Sequence, residues 1–320
     1  MTRRKLRRFY GTAGLPSAAP KNNVLSCKYM PTHPHSSPAP PDPFQSYNTT
    51  PLADFCGLSP AQMHPLLFHP LEPGGVVRLR TEVPDEVLDQ VPFLRLTGAF
   101  LRLLHREGGI QFTPLGALPL KYLRELYALG FILEPGVETG IHKLHREIDS
   151  LALTTLHHTT RLAGLARLAR GQLLLTKKGS QLLAASQRPA LWHLVLHTFT
   201  ARFSWASHDG YASPTAGQRG WAYSVYLLAR FGAATHPASF YADYYRRAFP
   251  IVLVDFADAT YASPAEQLAS CYEVCTFERG LNWFGLLAVS PPAVGLARPE
   301  GLVSVSPLLK QLFEVLVQTS

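Results

Sequence analysis

Thr154, His157, His158 and Arg161 fall at i, i+3, i+4 and i+7 within DSLALTTLHHTTRLAG (149–164), so a helix there carries them as one polar stripe. A hydroxyl, two imidazoles and a guanidinium on one exposed face can reach base edges and phosphate oxygens. Arg167, Arg170, Lys177 and Lys178 follow closely and could grip flanking phosphates. From Ser150 to His208 the chain holds seven Arg or Lys and no Asp or Glu, which is the charge pattern of a phosphate-contacting surface. These eight residues are the candidate nucleic-acid contact set. The alternative is a solvated face on a protein-interaction scaffold that has neither nucleic acid nor catalysis.

Other constellations carry less. His193 and His197 share a helical face, as do Cys271 and Cys275. A zinc protease needs Glu directly after the first His, where Leu194 stands, and a structural zinc needs a second close pair. Aromatic surroundings make these buried structural side chains, and His142, His145, His157 and His158 add no ligand spacing. Ser207-His208-Asp209 lists the residue types of a triad, but adjacent residues cannot relay hydrogen bonds. The set Trp205, His208, Asp209, Tyr211, Gln218 and Arg219 is dense but has no acid–base or ligand spacing. No G-x-S-x-G, P-loop or dinucleotide glycine fingerprint occurs. No catalytic residue, cofactor or metal is therefore assigned.

The elements that must position the stripe are legible around it. DSLALTTLHHTTRLAG predicts a helix stopped by Gly164, LARLARGQLLLT two short strands turning at Gly171, and KKGSQLLAA a second helix. That order is the order of a winged-helix module. A strand, a Thr, two residues, a Gly and a new helix recur: Phe112-Thr113-Pro114-Leu115-Gly116 parallels Leu175-Thr176-Lys177-Lys178-Gly179, with Thr placed to cap the helix that follows. A third, weaker copy starts at the capping box Ser263-Pro264-Ala265-Glu266, passes LVSVS and ends in a helix over Pro307–Val317.

Upstream, Ser59-Pro60-Ala61-Gln62 is a capping box, VVRLR (76–80) a strand, and Pro92–Arg106 an amphipathic helix with Phe93, Leu96, Phe100, Leu103 and Leu104 on one face. Leu118–Leu129 follows as a helix closed by Gly130. Between the second and third copies, LWHLVLHTFTARF, GWAYSVYLLARFG and FYADYYRRAFP are helices apolar around most of their circumference, which makes them a packing hub.

The expected organisation is mainly α with short β-hairpins: tandem winged-helix-like modules around a helical middle region. It divides into a disordered basic Pro-rich tail (1–50), winged-helix-like modules at 51–137 and 138–189, an aromatic helical region at 190–250, and a C-terminal winged-helix-like module at 251–320. The tail accounts for +6 of the +8 formal charge and holds eight prolines, so the body carries only +2. An over-extended translation start upstream of Met30 explains such a tail as well as a basic arm does. Four cysteines make no disulfide framework, the basic start lacks an apolar core of signal-peptide length, and no apolar run approaches the roughly 18–20 residues of a membrane span. A cytoplasmic setting without a membrane partner follows; DNA, RNA or protein remain as partners.

The segments GLSPAQMHPLLFHP (57–70), VPFLRLTGAFLRLLHREGGIQFTPLGALPLKYLRELYALGFI (91–132), LAGLARLARGQLLLTKKGSQLL (162–183) and DGY…GQRG (209–220) resemble an uncharacterised family of bacterial proteins. The resemblance covers roughly residues 51 to 250, with a looser match over the last 70. Similar strand–Thr–x–x–Gly segments occur in plasmid- and transposon-associated bacterial proteins. The resemblance implies a cytoplasmic, bacterial, non-enzymatic protein and carries over no binding residue; the Pro-rich N-terminus departs from its pattern.

Overall fold

A computed structural model describes residues 44–207, 210, 211, 213, 215–257, 262–290 and 301–317. The expected tail lies outside the described residues except for its last few positions. There Gln45–Thr49 form an exposed helical turn with no buried side chain. Residues 43–320 are one compact unit. It is mainly helical with three small antiparallel sheets.

Helix α1 (Pro60–Phe68) begins as its sequence demands. The Gln62 side chain accepts from the Ser59 amide, the Ser59 hydroxyl accepts from the Gln62 amide, and Pro60 occupies the first turn, where it sacrifices no hydrogen bond. Strand β1 (Val77–Leu79) follows. Helix α2 (Pro92–Glu107) buries all five predicted apolar positions and ends where Gly108 turns left-handed at φ 66°. Then come β2 (Ile110–Gln111), α3 (Leu120–Tyr127), α4 (Leu151–Leu162), β3 (Ala166–Ala169), β4 (Gln172–Leu175) and α5 (Lys177–Leu182).

Strand β2 pairs with β4, which pairs with β3, all antiparallel. The two strand–Thr–x–x–Gly segments therefore lie side by side in one sheet, across the boundary at 137/138. Thr176 caps α5 by accepting from the Gly179 amide at 2.9 Å. Thr113 caps no helix: its hydroxyl accepts from the Ala117 amide at 3.2 Å and closes the turn before α3. Gly179 is required by close approach, since a Cβ there would meet the Leu165 carbonyl oxygen at 2.3 Å.

Helix α6 (Arg188–His197) widens into a π turn over Thr198–Arg202. The chain then repeats its earlier order. Helix α7 (Trp221–Phe231), β5 (His236–Pro237), α8 (Ala238–Ala248), α9 (Pro264–Cys271, extended by a π turn over Tyr272–Glu278), β6 (Leu287–Ser290), β7 (Leu302–Val305) and α10 (Leu308–Leu312) follow in turn. Their sheet runs β5–β7–β6, the same arrangement as β2–β4–β3. The elements thus sort into two units of like connectivity, 92–182 and 221–312, and β5 of the expected middle region belongs to the C-terminal sheet. The predicted helix over 307–317 is corrected as well. It stops at Leu312, and β8 (Phe313–Val315) turns extended, buries Phe313 and pairs with β1.

The two units meet on a cluster of buried rings. Phe199, in the π turn, lies 5.6 Å from Phe93 of α2 and 5.1 Å from Phe284, which precedes β6. Phe93 and Phe284 are 5.6 Å apart, and Trp192 of α6 abuts Phe284 edge-on at 5.7 Å. Truncating Phe199 to Ala removes a ring that touches both units, beside the direct contact of Phe93 with Phe284. A loss of about 3–5 kcal/mol in unfolding free energy is expected by urea denaturation. A midpoint equal to that of the parent protein would refute this bridging role.

Candidate nucleic-acid interface

The polar stripe on α4 is split between core and surface. Thr154 and His157 are buried, which corrects the expectation that all four residues share an exposed face. The period of a helix says which side chains share a face; the neighbours decide which face is covered. Here a turn at Glu147–Asp149 folds back over α4. The Thr154 hydroxyl donates to the Glu147 carbonyl at 2.8 Å, and His157 Nδ1 stands 2.6 Å from Glu147 Oε1. Glu147 Oε2 accepts from the Leu118 amide at 2.7 Å, ahead of α3. His157 also meets the Phe112 ring edge-on at 5.2 Å, and its Nε2 has no partner among the described residues. Both residues are internal struts that hold α4 against α3.

The start of α4 is closed to a ligand by its own caps. The Ser150 hydroxyl accepts from the Leu153 amide, and Glu134 accepts from the Leu151 amide at 2.8 Å and from the Ser150 hydroxyl. A carboxylate already sits at the positive end of the helix dipole. The exposed part of α4 is its last turns, where His158 and Arg161 emerge.

Those two residues meet Arg167 of β3 and Arg202 of the π turn around a groove of about 640 Å³ whose wall includes Leu168 and Ser204. Among the described residues no carboxylate lines it. None of the ion pairs among the described residues involves Arg161, Arg167 or Arg202. The groove therefore gathers three guanidinium groups that have no ion-pair partner among the described residues. Arg202 was absent from the predicted contact set, although the acid-free stretch contains it. What hid it was distance along the chain, since only the packing of α6 against α4 brings it to the hairpin.

The other predicted residues are scattered around this groove. Arg170 and Gly171 both have positive φ, 51° and 76°, and form the two-residue turn of the β3–β4 hairpin, with the Arg170 side chain exposed at its tip. Lys177 is exposed at the start of α5. Lys178 is occupied elsewhere: its ammonium donates to the Ala163 carbonyl at 3.1 Å, satisfying an orphan acceptor at the C-terminus of α4.

The remaining constellations resolve differently. His208 and Asp209 lie outside the described residues. Gln218 Nε2 donates to the carbonyls of Thr200 and Phe203 at 3.0 and 2.6 Å, while its Oε1 accepts from the Trp205 amide at 3.0 Å. These hydrogen bonds of Gln218 fix the loop that follows the π turn. Cys271 and Cys275 are buried with their sulfurs 3.8 Å apart. His193 and His197 are exposed on α6, not buried as their aromatic setting suggested, because the opposite face of α6 takes the core positions Trp192, Val195 and Leu196. Among the described residues, no group of three or more His, Cys, Asp or Glu is arranged to hold a metal ion.

No protein-family model, curated protein or solved structure matches the chain. No described helix is long and apolar enough to cross a membrane.

The Glu147–His157 pair sets a pH dependence. Burial alone would raise the Glu147 carboxyl, but the hydrogen bond and charge of His157 and the Leu118 amide outweigh it and hold it below its ordinary 4.5. A carboxyl depressed in the folded state stabilises fully above its unfolded value, and that contribution is lost as pH falls through the folded value. Stability should therefore fall below about pH 4.5, and fall less steeply in Glu147→Gln. Near neutral pH the variant should be roughly 3–5 kcal/mol less stable, because a buried partner is left unpaired. Parallel stability–pH curves for the two proteins would show that the pair makes no such contribution.

Proposed function

We propose that this chain is a nucleic-acid-binding protein, in the first instance a DNA-binding regulatory protein. In this proposal residues 92–182 act as a winged-helix unit, and the last turns of α4, strand β3 and the π turn grip the phosphate backbone. The observation that carries it is the groove rimmed by Arg161, Arg167 and Arg202, which no carboxylate among the described residues lines. Guanidinium groups bind phosphate bidentately and remain charged at any physiological pH. A rim of three, spread over separate elements, suits a linear polyanion better than a compact ligand.

The order helix, strand, helix, helix, hairpin with the first strand beside the last supports the winged-helix reading. It departs from the usual docking geometry in one respect. Base reading normally uses the N-terminal residues of the recognition helix, which are capped and buried here. Backbone contact thus dominates, with His158 as the side chain on α4 nearest to base edges. Such a protein would work in the bacterial cytoplasm, where duplex DNA is accessible.

The test is duplex binding across a salt series by fluorescence anisotropy, with Arg3, Arg4, Lys5, Arg7 and Arg8 changed to Gln in both proteins, the otherwise unchanged full chain being compared with Arg161→Ala/Arg167→Ala/Arg202→Ala. All three side chains are exposed, so the fold should survive their truncation. The parent should weaken steeply with salt. The variant should bind more weakly and lose about 0.9 in the log–log salt slope for each phosphate contact removed. Equal affinity and slope in both proteins would overturn the proposal and favour a protein-interaction scaffold.

A further inference from the structure

The basic groove does not end at Arg202. A second groove of about 450 Å³ opens on the other side of the same residue and shares Phe203 and Ser204 with the first. Arg219 and Gln218 line it together with Thr215, and no carboxylate among the described residues does. Its far wall includes Phe68 at the end of α1, which is 59% exposed. An aromatic ring this exposed contributes little to the core. The exposed His64 ring lies 4.8 Å from it, so a second flat ring stands beside Phe68, while His69, 6.1 Å from His64, is paired with Glu72 at 3.4 Å.

The charged residues of this second groove stand on a rigid frame. Tyr245 accepts from the Gly217 amide at 3.2 Å and donates to the Arg219 carbonyl at 2.6 Å. Gln218 bolts the same turn to Thr200 and Phe203, on either side of Arg202. Gly217 is left-handed at φ 75°, and a Cβ there would meet the Thr276 hydroxyl at 2.0 Å, so the turn has one available seat. The backbone bearing Arg219 is thereby held beside Arg202. No ion pair among the described residues involves Arg219.

A positively charged track that ends on exposed aromatic faces has the chemistry of a single-strand site. Charges follow the backbone, and unpaired bases, whose π-faces are hidden in a duplex, stack on the rings. Resting on the nucleic-acid reading above, we infer that the groove from Arg202 through Arg219 to Phe68 binds unpaired nucleic acid. A duplex held at Arg161, Arg167 and Arg202 would then continue into a separated strand along the second groove.

The experiment uses the full chain, with Arg3, Arg4, Lys5, Arg7 and Arg8 changed to Gln in every sample so that the basic tail does not mask the body. Anisotropy is measured with a labelled mixed-sequence single strand and with the matching duplex. Phe68→Ala should weaken single-strand binding by about fivefold or more and change duplex binding less than twofold. Arg219→Ala should weaken the single strand and reduce its salt slope by about 0.7. The inference is overturned if the parent binds no single strand, if both variants bind it as the parent does, or if both lose duplex binding equally. Loss of duplex binding in the triple arginine variant reports separately on the proposed function, and the two can therefore fail independently. Both side chains are exposed, and unchanged thermal unfolding would verify that the fold is intact.

Discussion

The placement of Arg202 depends on the burial of Phe199. Its ring is almost wholly removed from water and touches Phe93 on one side and Phe284 on the other, in the cluster of rings where the two units of like connectivity meet. Arg202 follows within the same π turn. A π turn gives one extra residue per turn and interrupts the regular ladder, a local distortion that packing must hold in place. Burial of an aromatic ring thus fixes where a guanidinium three residues later emerges, and sets the separation of the two grooves that flank it.

The helices were legible because their signals are local. The capping boxes at Ser59 and Ser263, the proline at N1 and the glycine after α2 each act within a few residues, and each appears in the structure as the sequence implies. Strand pairing was not legible to the same degree. Strand β2 was expected before Thr113, but its partner β4 lies far along the chain, and the two-residue β5 shows no period of its own, so neither pairing is marked in the sequence. This is why three sequence-level copies resolve into two units. The last segment was misread for a related reason. Its helical character ends where pairing with β1 becomes available, and tertiary contact overrides a weak local preference.

The proposed basic groove follows composition more closely than the helical stripe. The stretch without acid from Ser150 to His208 contains Arg161, Arg167 and Arg202, which the fold gathers around one groove. Helical spacing then grouped Thr154 and His157 with His158 and Arg161, whereas the fold buries the first pair. What buries them is Glu147, whose carboxylate meets His157 from outside the helix. A lone acidic residue ten positions upstream of a histidine gives no sequence signal of such a pairing. Lys178 taught the same lesson on the surface: a basic residue in a basic stretch serves the carbonyl of Ala163.

Strand β1 and strand β8 stand at opposite ends of the described chain and have each other as sheet partners. During synthesis, Val77–Leu79 leaves the ribosome long before Phe313–Val315 exists. At about 5–20 residues per second, the first strand waits on the order of tens of seconds for its complement. In that interval its edge hydrogen-bonding groups are open to any extended segment nearby. Completion of this two-stranded sheet therefore waits for residues made more than two hundred positions after β1, and a nascent chain stalled short of Phe313 would carry an unpaired edge into a crowded cell.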